Sequence, residues 1–142
     1  MMGKFEARIP GDRRYSDSHL WLQPVAGAQR VGFTAYSVRL LQDVYFLEWS
    51  IEPNTRVTSK MEIGEIESSK ALSTLYAPCD GRLSAFNDRL LDDPTPINTD
   101  GYGAGWLYEL ETEAALLTAE QYREVLEAGW EDTQRLLKGQ LN

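Results

Sequence analysis

The chain has 142 residues, a net charge of −8, one cysteine and one histidine. That length suits one domain with its own core, and the acidic balance argues against phosphate backbones and anionic membranes as partners. A single cysteine excludes an internal disulfide and a multi-cysteine zinc site. "MMGKFEARIPGDRRY" has no apolar stretch behind its basic residues, and no run approaches the roughly 18 apolar residues of a membrane span, so a cytoplasmic location is expected.

In chain order, "SHLWLQPV" alternates, with His19, Trp21 and Gln23 on one face and Leu20 and Leu22 on the other. It predicts a strand ended by Pro24 and a turn at Gly27. "RVGFTAY" predicts a second strand, after which Thr34 can cap a short helix, "AYSVRLL", with Val38 and Leu41 inward. "DVYFLEW" predicts a buried strand and "EPNT" a turn. "KMEIGEIE" is a strand with a fault. Met61 and Ile63 share a face while Ile66 falls on the other, and Gly64 between them suggests a bulge.

"ALSTLYA" alternates again, "PCDG" reads as a turn and "GRLSAFN" as a strand. "RLLDDPTPINTDGYGAG" predicts mostly loop, because its prolines and glycines interrupt any longer element. "GWLYELE" is the last strand. Thr118 and Gln121 then form a capping-box pattern. Tyr122, Val125, Leu126, Trp130, Leu136 and Leu137 follow at helical spacing, which predicts a C-terminal helix over about 118–138. Many short strands closed by one helix favour a small sandwich or barrel.

Motifs for catalysis are missing. His19 lies in a strand-like segment beside Trp21, where a packed or hydrogen-bonded ring is expected. Cys79 stands next to Asp80, which works against a reactive thiolate. Glu65 and Glu67 share a strand face but suit a solvated surface. "GYGAGW" fails the dinucleotide fingerprint, since Trp106 stands where a third glycine belongs. No catalytic residue, metal ligand or nucleic-acid stripe is assigned.

One lysine remains. Lys70 is the sole basic residue between Met61 and Asp80, at the centre of "EIESSKALSTLYAP". An amine at the tip of a strand-turn-strand unit is exposed and fixed in direction. Ser68 and Ser69 are small, and Glu62, Glu65 and Glu67 offer a modifying enzyme an electrostatic handle. By itself this is an ordinary surface lysine.

The surrounding words carry more. "ESSKA", Glu67 to Ala71, resembles the Glu-Ser-x-Lys-Ala signature of the glycine cleavage system H proteins. "YSDSHLW", "VGFTAYS", "LQDVYFLEW", "APCDGRLSAFNDRLLDDPTPIN", "GYGAGWLYEL" and "LLTAEQYREVL" resemble further segments of that family in the same order, from about Tyr15 to Leu126. The resemblance implies a mainly β fold of the lipoyl/biotinyl-carrier type, a flattened β-barrel (barrel-sandwich hybrid) with a short internal helix and the C-terminal helix. It implies an N-terminal extension over 1–14 and a lipoyl-carrier domain over 15–142.

It also implies lipoic acid joined covalently to Lys70, with Glu67, Ser68 and Ala71 forming the lipoylation motif. The chain would then be a carrier within a multienzyme system, not an enzyme. Its implied partners are a lipoate ligase or lipoyl transferase, glycine decarboxylase, aminomethyltransferase and dihydrolipoyl dehydrogenase, and its cargo the aminomethyl intermediate. The alternative is an H-like lipoate-binding protein carrying sulfur intermediates with a heterodisulfide-reductase-like complex; a lipoyl store or relay for cofactor assembly, and an unmodified adaptor, also fit. Leu20, Ala35, Gln42, Gly101 and the loop "SIEPNTRVTSK" depart from the family pattern without touching the lysine motif. A loaded arm is expected to fold against an apolar groove, with Trp106 and Tyr108 as its candidate walls.

Overall fold

The computed structural model describes residues 9–129. Residues Trp130, Leu136 and Leu137 of the expected helix lie outside them. Among the described residues, nine strands form two antiparallel sheets. The larger has six strands: β1 (Arg14–Tyr15), β2 (Leu20–Val25), β3 (Ala28–Phe33), β9 (Tyr108–Glu111), β8 (Gly81–Phe86) and β5 (Thr55–Val57), in that spatial order. The smaller has β4 (Val44–Trp49), β6 (Glu62–Ser68) and β7 (Leu72–Tyr76).

The core fills the space between the sheets. Leu22, Val31, Leu83 and Leu110 of the large sheet and Ile63 and Ile66 of the small one are almost wholly buried. Each such side chain contributes roughly 1.5–3 kcal/mol by leaving water. The alternation expected for β2 holds from Leu20 onward, and both of its faces are covered; His19, expected in the strand, lies in the bend before it at φ 70°. Leu20 and Leu22 enter the core, while Trp21 joins a second cluster with Tyr15, Tyr122 and Leu126. The Trp21 ring lies over its cross-strand partner Gly32, where a Cβ would stand 2.5 Å from the ring. Pro24 does not end β2, which continues to Val25; β1 pairs only as far as Leu22, so the missing N–H of Pro24 costs no ladder bond. Gly27, at φ 77°, supplies the left-handed residue of the two-residue turn into β3.

The caps read from the sequence form. Thr34 Oγ1 accepts from the Ser37 N–H at 3.4 Å and opens α1 (Ala35–Leu41). Thr118 and Gln121 exchange the two bonds of a capping box at 2.9 and 3.2 Å. The helix they start, α4, covers 119–129 of the described residues and seals the Trp21 cluster with Tyr122 and Leu126.

Two further expectations are corrected. The stretch expected as loop contains two one-turn helices, α2 (Arg89–Asp92) and α3 (Pro96–Thr99), which drive Leu90 and Ile97 into the core. A single turn is too short to show a 3.6-residue period, and Pro96 at the first turn starts a helix instead of breaking one. The strand expected to be buried, β4, is only half so. A register shift between Val44 and Phe46 turns Tyr45 and Phe46 both outward, at 57% and 45% exposure. The bulge expected at Gly64 is present, as a register shift between Glu62 and Gly64. It restores Ile63 and Ile66 to the same interior. A Cβ at Gly64 would meet the Glu48 carbonyl oxygen at 2.5 Å, so the close approach of β4 selects glycine.

Candidate functional site

Strands β6 and β7 form a hairpin whose last register pair is Glu67 with Leu72. The Ser68 N–H donates to the Ala71 carbonyl at 3.0 Å and closes the turn. Lys70 and Ala71 are exposed on it. Ser68 is buried, and its Oγ accepts from the Lys70 and Ala71 N–H groups at 3.2 and 3.4 Å while donating to the Ala71 carbonyl at 3.3 Å. A hydroxyl that folds back on its own turn fixes the backbone on which the lysine stands. The serines are therefore braces, not merely small neighbours. Glu67 accepts a hydrogen bond from the Tyr45 hydroxyl at 3.2 Å, which holds its carboxylate on the outer face of the sheet.

A second brace comes from the loop between α1 and β4. The Ser69 N–H donates to the Asp43 carbonyl at 2.8 Å, and the Asp43 N–H donates to Ser69 Oγ at 3.2 Å. That loop is held in turn by Asn98 of α3. Its Nδ2 donates to the Gln42 carbonyl at 2.6 Å and its Oδ1 accepts from the Val44 N–H at 2.9 Å. Asp43 and Asn98 stand inside "LQDVYFLEW" and "APCDGRLSAFNDRLLDDPTPIN" with no role legible there. Their spacing in the chain gave no sign that they meet.

On the inner side of the hairpin a cleft of about 340 Å³ opens beside Lys70. Leu20, Phe33, Leu40, Leu41, Ile66 and Leu75 supply its apolar walls. Trp106 and Tyr108, expected as groove walls, are elsewhere. Trp106 lies under the Arg30 guanidinium, 4.5 Å from ring centroid to Cζ. Tyr108 is buried in the core, edge-on to Trp49 at 5.6 Å, where burial pushes its phenol far above the ordinary value. Tyr108 and Leu110 alternate with Glu109 and Glu111 along β9 and enter the core.

The other reactive side chains have structural partners. His19 Nδ1 lies 2.9 Å from the Tyr122 hydroxyl, and its ring packs on Tyr36 at 4.4 Å. Burial lowers the His19 pKa, and Asp17 partly opposes this. Cys79 is 8% exposed, with Sγ 3.5 Å from Thr112 Oγ1. Burial raises its thiol pKa; the Thr112 hydroxyl works against that rise and Asp80 adds to it. The length of β7 separates it from Lys70, about 17 Å for five residues. "GYGAG" wraps a turn in which Asp100 accepts from the Gly103, Ala104 and Gly105 N–H groups. Among the described residues no group of three or more His, Cys, Asp or Glu could hold a metal, and no helix is long and apolar enough to cross a membrane.

Two antiparallel sheets around one core, with a lone lysine at a braced hairpin tip and a helix after the last strand, define a flattened barrel-sandwich fold of the lipoyl/biotinyl-carrier type. The model of the family "Glycine cleavage H-protein" matches residues 13–129. The chain is 43% identical over 118 residues to a probable glycine cleavage system H protein of Natronomonas pharaonis, covering 80% of this chain and 93% of that one. It is 38% identical over 122 residues to the glycine cleavage system H protein of Thermobifida fusca, covering 84% and 96%. The crystal structure of a glycine cleavage system H protein from Mycobacterium marinum superposes with a TM-score of 0.70 at 41% identity, covering 80% of this chain and 95% of that one. This chain belongs to the glycine cleavage H-protein family.

Proposed function

We propose that the chain is a lipoyl-carrier protein of the glycine cleavage system, with lipoate attached to Lys70 and Glu67, Ser68 and Ala71 forming the motif read during attachment. The observation that carries this is Lys70 itself: one exposed amine on a turn fixed from both sides, by Ser68 within the hairpin and by Asp43 through Ser69. The Leu20, Phe33 and Ile66 walls of the adjoining cleft fit an aliphatic chain with a soft sulfur ring and offer it few polar partners. When bound, that group supplies a disulfide that can be reduced, loaded and reoxidised.

The residues around it do the rest. Ser68 and Ser69 orient the attachment point. The cleft excludes water from whatever the arm delivers into it. The family relationship supports a carrier working with glycine decarboxylase, aminomethyltransferase and dihydrolipoyl dehydrogenase, in the compartment that houses them. Cys79 lends the sulfur-carrier reading no support, because its thiol is buried, raised in pKa and far from the hairpin.

Reconstitution tests the proposal. The full chain is lipoylated, Lys70 is confirmed as the site by mass, and the product is mixed with glycine decarboxylase and labelled bicarbonate. Exchange of label into glycine near the rate of an established H protein is expected, and Lys70→Arg abolishes it. A fully lipoylated chain with no exchange would overturn the glycine-cleavage assignment.

A further inference from the structure

The outer face of the small sheet carries apolar side chains beside the lysine. Cross-strand register sets Phe46, Glu67 and Leu72 side by side in the row nearest the turn, and Glu48, Glu65 and Thr74 in the next. Six large hydrophobic side chains are strongly exposed among the described residues. Three of them, Tyr45, Phe46 and Leu72, gather at this end of this face, at 57%, 45% and 62% exposure. Exposed apolar residues are ordinarily scattered singly, and a group of this kind with a polar rim marks an interaction surface. The rim here has one sign: Glu48, Glu65 and Glu67.

The reach of the lysine selects the partner. An unmodified lysine extends roughly 6 Å from its Cα, five bonds of about 1.5 Å in a staggered chain. A lipoylated one reaches roughly twice as far, by the same bond counting. Partners of the loaded carrier can therefore stand off from the hairpin. The enzyme that acylates Lys70 cannot, and must touch the rows beside the turn. We infer that the Tyr45–Phe46–Leu72 face docks this acylating enzyme, which meets it with an apolar socket rimmed by lysine or arginine side chains. The inference rests on the carrier reading above and adds to it the surface and the chemistry of its partner.

The test uses the full-length unmodified chain, a lipoate–protein ligase, and lipoylation followed by mass. Phe46→Lys and Leu72→Lys are expected to raise KM for the carrier by about tenfold or more while kcat stays within about twofold, since a docking contact contributes equally to ground and transition states. Glu65→Lys raises KM as well, whereas Glu113→Lys, the same charge change beyond β9, leaves it unchanged. Wild-type KM rises with ionic strength between about 0.05 and 0.3 M. Phe46→Ser and Leu72→Ser repeat the measurement should either lysine variant fold poorly.

Wild-type KM values in these apolar variants would overturn the inference. So would normal acylation combined with lost label exchange, which would assign the face to a later partner. A wild-type chain left bare while a control lipoyl domain is acylated would instead defeat the carrier reading, and the inference with it.

Discussion

Asp43 and Ser69 exchange two hydrogen bonds across 26 residues of chain, backbone to backbone and backbone to hydroxyl. The contact makes the lysine turn part of a three-segment assembly. Asn98 stands behind Asp43 and bonds to both of its neighbours, Gln42 and Val44. Asn98→Ala leaves the buried Val44 N–H without an acceptor, at a cost of about 1–3 kcal/mol. Amide exchange at Asp43 and Ser69 should quicken, and acylation of Lys70 should slow. Asn98→Asp keeps the acceptor and loses the donor, so its effect should fall between. Unchanged exchange at Ser69 in Asn98→Ala would show that the hairpin does not lean on α3.

Gln42 carries the strain in this assembly. Its φ of 61° and ψ of −144° lie in a region that non-glycine residues rarely occupy. The α1 helix ends there, with the Gln42 N–H on the Val38 carbonyl, and the chain must reverse at once to place Asp43 against Ser69. Glycine holds that conformation without a Cβ clash. Gln42→Gly should therefore stabilise the protein by about 1 kcal/mol, read as a higher urea midpoint with an unchanged slope. A lower midpoint would mean that the glutamine side chain repays its backbone strain.

The features legible in the sequence are those whose cause is local. Thr34 and the Thr118–Gln121 pair cap helices because a hydroxyl three residues before a free N–H can reach it. Gly64 marked a bulge because the hydrophobic period slips there. The lysine turn was legible through its motif. The features that were not legible depend on which segments meet. Tyr45 and Phe46 looked buried because aromatic runs ordinarily are, and only the register with Glu67 reveals that both point outward. Trp106 and Tyr108 looked like groove walls because they are aromatic residues at the final strand, but the alternation along β9 assigns Tyr108 to the core. Leu40, Leu41 and Leu75 come from two distant segments, and nothing short of the fold brings them to one cleft.

That cleft makes a prediction of its own. If it shelters the arm, a charge at its lip should admit water. Leu40 is 57% exposed, so Leu40→Asp should fold normally. Acylation of Lys70 should persist, while cargo on the lipoylated carrier should be lost about three- to tenfold faster, approaching its decay on free lipoamide, because the shelter acts by excluding water. Mass spectrometry of the loaded protein over time measures this. Equal decay on the wild-type carrier and on free lipoamide would remove the cleft from the mechanism.

His19 gives the fold a dependence on pH. Its ring is held between Tyr36 and the Tyr122 hydroxyl, which also lies 2.9 Å from Thr34 Oγ1, so one phenol joins α4 to the bend before β2 and the cap of α1. Burial lowers the pKa of His19 below its ordinary 6.5. The unfolded chain then binds a proton at a pH where the native ring does not. Stability is therefore full above about pH 6.5 and declines as pH falls from there toward the native pKa, before most carboxylates titrate. His19→Asn tolerates the left-handed backbone at this position, φ 70°, and has nothing to titrate. Urea midpoints at pH 7.5 and 5.5 should differ in the wild type and converge in His19→Asn. Tyr122→Phe should lose about 1–2 kcal/mol at both pH values, the cost of one hydroxyl serving two partners. A wild-type midpoint that does not move over this range would show that the native ring takes up its proton as readily as the unfolded chain.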